Sequence, residues 1–108
     1  MVKIAQRLDL LPFEVEEAVV AIGRKIQLAR RARGWTQSDL AAKMGVGINM
    51  VVNLEKGSPS VAFGQVATAL WTLDSLDPLR EAARTDQDPV IQQEALSRLT
   101  RSKRGSRG

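Results

Sequence analysis

The chain contains no cysteine and no histidine among its 108 residues. The first absence excludes disulfides and thiol chemistry, and it suits a cytoplasmic protein. Together they exclude a Cys/His metal site, and the second removes the imidazole that most often acts as a general base. Serine and aspartate remain, but no activating partner is evident for them. Catalysis is therefore not expected, and neither a cofactor nor a metal is implied. No stretch approaches the roughly 18 apolar residues needed to span a bilayer, so no membrane partner is expected. The opening MVKIAQRLDLL interleaves acid and base with apolar residues and has no small-residue cleavage site, unlike a secretory leader.

Charge is present, and its distribution is more informative than its total of +4. Residues 23–57 carry seven basic side chains (Arg24, Lys25, Arg30, Arg31, Arg33, Lys43, Lys56) against Asp39 and Glu55. Residues 97–108 carry five basic side chains and no acid, while 1–22 and 58–96 are net acidic. The basic block coincides with the most informative motif, GWTQSDLAAKMGVGINMVVNLEKG at residues 34–57. Two short helical patterns there are separated by a Gly-containing turn, which is the layout of a helix-turn-helix. A basic cluster on such a motif is the electrostatic footprint of a phosphate-binding face.

The remaining pattern predicts an all-α fold. Pro12 and the glutamates at 14, 16 and 17 mark a helix start. Val15, Val19, Ile22 and Ile26 then recur at helical spacing to about residue 33, with Gly23 available for close approach of another helix. Thr36 and Asp39 predict a capping box, and Trp35 and Leu40 stand at hydrophobic-staple positions. Gly45 stops this second helix, and a third runs over 48–56 with Val51 and Leu54 inward and Gly57 as its stop. Ser60 is expected to cap a fourth helix reaching residue 73. Asp77-Pro78 opens a short helix to about 84, and Asp88-Pro89 opens an amphipathic last one. From Arg101 the composition predicts disorder.

On the outward side of the third helix, Asn49 and Asn53 can pair bidentately with adenine. Ile48, Met50 and Val52 share that side; they either contact thymine methyl groups or pack on protein. Leu10, Leu11, Phe13 and the last helix are candidates for a dimer contact.

Residues 24–73 resemble the Cro/C1-type (XRE-family) helix-turn-helix proteins. The likeness rests on Lys25-Ile26 to Arg30, Gly34 to Leu40, Ala41, Gly45-Val46 and Leu54-Glu55-Lys56-Gly57. It implies a lambda-repressor-like bundle of five to six helices followed by the disordered basic tail. The implied organisation is an N-terminal extension (1–12), the DNA-binding domain (13–75), a helical extension (76–100) and the tail (101–108). Within the family, GWTQSDLAAKMGV and SPSVAFGQVATAL are most similar to HipB-type antitoxins, which bind operator DNA as dimers and restrain a HipA-type kinase toxin.

The resemblance implies roles position by position. Gln37 and Lys56 fall on backbone-gripping positions; Lys43 joins them as a phosphate contact by charge. Ile48, Asn49, Met50 and Asn53 fall on base-reading positions, Val52 joins this set from its outward place on the helix, and Arg30 and Glu55 match a buried ion pair. The expected partners are double-stranded operator DNA, a second copy of the chain and, for an antitoxin, a HipA-type kinase. The resemblance thus implies a sequence-specific repressor acting as the antitoxin of a type II toxin-antitoxin system, repressing its own operon and neutralising such a kinase; a stand-alone regulator and a protein-interaction module that has lost DNA binding are the alternative readings.

Overall fold

A computed structural model describes residues 10–107, with side chains to Arg101. Six helices follow one another: α1 (Phe13–Ala32), α2 (Gln37–Met44), α3 (Ile48–Lys56), α4 (Phe63–Thr72), α5 (Asp77–Ala82) and α6 (Pro89–Arg107). The chain divides into two compact units at Leu76/Asp77. Among the described residues there is no strand, and no helix is long and apolar enough to cross a membrane. The part of the N-terminal extension covered by residues 1–9 lies outside the described residues.

In the first unit, α1 packs on α3, and α2 packs on both α3 and α4. The core is Ile26, Leu40, Ala41, Val51, Leu54, Ala69, Leu70 and Leu73. One apolar stripe from each helix supplies it, so α2 and α3, too short to be stable alone, are held by burial. Pro12 serves as the N-cap of α1, its carbonyl accepting from Glu16 N at 3.0 Å. In α2 the capping box is complete: Thr36 Oγ1 accepts from Asp39 N at 3.0 Å, and Asp39 Oδ2 accepts from Thr36 N at 2.8 Å. Gly45, at φ 73°, ends α2, and the turn through Val46 and Gly47 leads into α3.

Gly23 and Gly57 set the distance between α1 and α3. A Cβ on Gly23 would lie 2.6 Å from Leu54 O and 2.7 Å from Gly57 N. A Cβ on Gly57 would lie 2.6 Å from the Val20 Cα, and its φ of +72° is a left-handed conformation that disfavours side chains. The obstructing atoms are backbone and cannot swing aside.

One expectation is corrected. Ser60 does not cap α4: its hydroxyl pairs with the Ser58 hydroxyl at 2.9 Å, and the Ser58 carbonyl accepts from Val61 N in a turn. The helix starts after Ala62, which has no side-chain cap. Helix α6 runs on to Arg107. No Pro follows Pro89 to break that helix, Arg and Lys are good helix formers, and Glu94 pairs with Arg98 at 2.8 Å and Arg101 at 3.6 Å. The amino-terminal half of α1 leaves much of its apolar side uncovered. Val15 and Ile22 remain exposed, and with Leu11, Val19, Phe63 and Val66 they line an open apolar groove of about 350 Å³.

In the second unit, Asp88 Oδ1 accepts from Val90 N and Ile91 N at 2.9 and 3.1 Å, capping α6 as its sequence predicts. Arg84 bridges Glu81 at 2.7 Å and Asp86 at 2.6 Å.

Helix propensity alone would make Gly23→Ala stabilising by about 1 kcal/mol. The backbone contact reverses the sign: we expect a loss of about 1–3 kcal/mol in urea unfolding, the usual range for overpacking. An unchanged or higher midpoint would refute the close approach.

Candidate nucleic-acid interface

On α3, Val51, Leu54 and Glu55 are buried. At 100° per residue their directions leave one side outward, centred on Asn49, Asn53 and Lys56. All three are exposed. Ile48 and Val52, four residues apart, border this strip on one edge, and Met50 borders it on the other. Ile48 is 48% exposed, while Met50 and Val52 are half-buried.

The side chain beneath α3 is Glu55. Arg30 Nε donates to Glu55 Oε2 at 2.5 Å, and Arg30 Nη2 donates to Oε1 at 3.0 Å. Arg30 Nη1 donates to the Trp35 carbonyl at 2.7 Å, and Gln37 Nε2 donates to Glu55 Oε1 at 3.1 Å. Both charged groups are buried, and no buried side-chain polar atom among the described residues lacks a partner. Burial pushes the Glu55 carboxyl up. The hydrogen bonds from Arg30 and Gln37, with the charges of Arg30 and Arg31, outweigh it and hold Glu55 below the ordinary carboxylate range.

Of the residues predicted to grip phosphate, Lys56 is exposed at the end of α3. Gln37 is half-buried at the first turn of α2 and already bonded to Glu55; an amide NH₂ has two donor hydrogens, so one remains. Lys43 lies with Nζ 4.6 Å from the Trp35 ring centroid, and the Arg33 guanidinium lies 5.8 Å from it. Trp35 is thus more than a staple. It supports two cations, and the signal was its place before the Thr36 cap, with Lys43 in the last turn of the same helix. Hydrogen bonds from Thr36, its backbone amide first, and the Lys43 charge hold the Asp39 carboxyl low.

Sequence reasoning also missed Arg33. Its Nη1 donates to Ala29 O at 2.8 Å and its Nη2 to Leu73 O at 2.5 Å, joining the ends of α1 and α4. Arg30 and Glu55 neutralise each other inside. Arg24, Lys25, Arg31, Lys43 and Lys56 are exposed, with no ion-pair partner among the described residues.

Residues 26–64 match the family described as Helix-turn-helix. An uncharacterized HTH-type transcriptional regulator of Sinorhizobium fredii, y4mF, is 36% identical over 64 residues, which is 58% of this chain and 84% of that protein. No solved structure matches the chain significantly.

Because Glu55 is held low when folded, its contribution to stability is complete above the unfolded carboxyl range and is lost as pH falls through the folded value. Chemical-denaturation stability should therefore be level above about pH 5 and decline below about pH 4. Glu55→Gln strands a buried guanidinium and should cost about 3–5 kcal/mol. Arg30→Met with Glu55→Leu should recover most of that loss. A double variant no better than Glu55→Gln would refute the unpaired charge as its cause.

Proposed function

The chain belongs to the XRE-type helix-turn-helix family of transcriptional regulators, and from that premise we propose that it is a sequence-specific repressor acting as a homodimer on operator DNA. The observation that carries the proposal is the outward side of α3. It is centred on two exposed asparagines and accompanied by exposed cations that have no ion-pair partner among the described residues. Two copies would place their α3 helices in successive major grooves about 34 Å apart, on a palindromic site. Asn49 and Asn53 contact base edges there, with Ile48, Met50 and Val52 alongside. Gln37, Lys43 and Lys56 hold phosphates and set the register. The site of action is the cytoplasm, where the operator is.

A second reading, the HipB-like antitoxin, is favoured by one observation. Of the four aromatic residues, Phe13, Phe63 and Trp71 are 73%, 68% and 64% exposed, and Phe63 edges the apolar groove. Apolar surface of this kind is what a protein partner covers. In this reading the protein represses its own operon, and the covered partner is a HipA-type kinase toxin. The basic end from Arg101 then either follows the DNA backbone or binds the toxin. A HipA-type kinase encoded beside the gene, binding the purified protein at fixed stoichiometry and losing activity, would establish the antitoxin. A regulator that binds DNA but not such a kinase is the stand-alone form.

Duplexes selected from a random pool supply the test. Asn53→Ala should cost about 1–3 kcal/mol on the selected duplex and little on random duplex. Lys56→Ala should weaken both alike and reduce the salt slope by about 1. Equal losses for Asn53→Ala on the two duplexes would remove it from base reading. Absence of any salt-dependent binding would leave an interaction module.

A further inference from the structure

We propose that α3 discriminates sequence chiefly through the C5-methyl groups of thymine, so that each half-site is read as A·T rather than G·C pairs. The inference rests on the DNA-binding reading above and specifies what that surface recognises.

The outward side of α3 is unusual in what it can offer a groove. Before Lys56 in the last turn it presents Ile48, Asn49, Met50, Val52 and Asn53. There is no arginine for the N7 and O6 of guanine, and no carboxylate free to accept from cytosine N4. Glu55, the acid of this helix, is buried and bonded to Arg30 and Gln37. A G·C pair therefore finds no dedicated partner in the first two turns, which is where a recognition helix meets bases.

The aliphatic edge adds a penalty. Covering a base edge with Ile48 or Val52 strips water from its donors and acceptors without replacing their hydrogen bonds. The thymine methyl is the apolar group of the major groove, so there the same side chains are favourable. Ile48 and Val52 are about 6 Å apart along the axis, close to two base steps of 3.4 Å on one strand. The adenine opposite each thymine offers N6 and N7 to the adjacent Asn49 and Asn53. One A·T pair is then read through both of its bases, and Met50 is placed for a methyl on the other edge.

Uracil is the direct probe, because deoxyuridine removes the methyl and keeps O4 and the pairing. Duplexes selected by the full-length protein from a random pool should have A·T-rich half-sites. Replacing their thymines one at a time with deoxyuridine should weaken binding about fourfold at each contacted methyl, the factor for one buried methyl group. Ile48→Ala should weaken the thymine duplex and abolish the deoxyuridine effect at one position, while its thermal unfolding stays unchanged because Ile48 is exposed. G·C-rich selected sites, or equal affinity for thymine and deoxyuridine duplexes, would overturn the proposal and leave DNA recognition standing. A pool that yields nothing tighter than random duplex would overturn the DNA-binding reading itself.

Discussion

The ion pair between Arg30 and Glu55 is the constraint on which the first unit depends, because it joins four segments at one buried point. Arg30 belongs to α1 and Glu55 to α3, the Trp35 carbonyl lies in the turn before α2, and Gln37 opens α2. Removing two charges from water is costly, and their attraction offsets this cost only when every remaining donor and acceptor is satisfied. Here each of the three guanidinium nitrogens and both carboxylate oxygens has a partner, so no buried atom of the pair is left without one. The pair fixes orientation, since a bidentate fork tolerates little rotation. A side chain on α3 is thereby directed inward by a charge, and the opposite side of the helix must face out.

Close backbone contact at Gly23 and Gly57 complements the pair. Gly23 touches the end of α3, and Arg30, two turns further along α1, meets Glu55. One contact fixes distance and the other fixes rotation. A helix of nine residues, too short to persist alone, becomes a rigid rod because both of its free coordinates are set by α1.

Much of this was legible in the sequence, for physical reasons that can be named. The capping box at Thr36 and Asp39 and the stops at Gly45 and Gly57 are local, so their residues predict them without tertiary context. The Arg30–Glu55 pair spans 25 residues and came from family likeness, because no local rule predicts it. Ser60 misled because a hydroxyl before a helix has two competitors, the helix amides and its neighbour Ser58, and the neighbour wins. The apolar residues of early α1 have helical spacing, but spacing does not tell whether an opposing element reaches them. Here none covers Val15 or Ile22. Family likeness points to Gln37, and charge to Lys43; their support by Glu55 and by the Trp35 ring is a tertiary property.

That support bears on how the surface would meet an anion. A lysine on the surface carries about 2 kcal/mol of rotamer entropy, part of which is lost when it grips a phosphate. Lys43, resting on Trp35 through a cation–π contact worth about 0.5–1 kcal/mol when exposed, has surrendered some of that freedom already. Gln37 is held similarly by Glu55. Lys56, with no ion-pair partner among the described residues, has more freedom to lose. Two of these three polar groups are thus held in place by neighbouring side chains before any ligand arrives. Affinity gained this way would need no additional contacts, and in the proposed mode of binding it would leave discrimination between sequences to the short exposed face of α3.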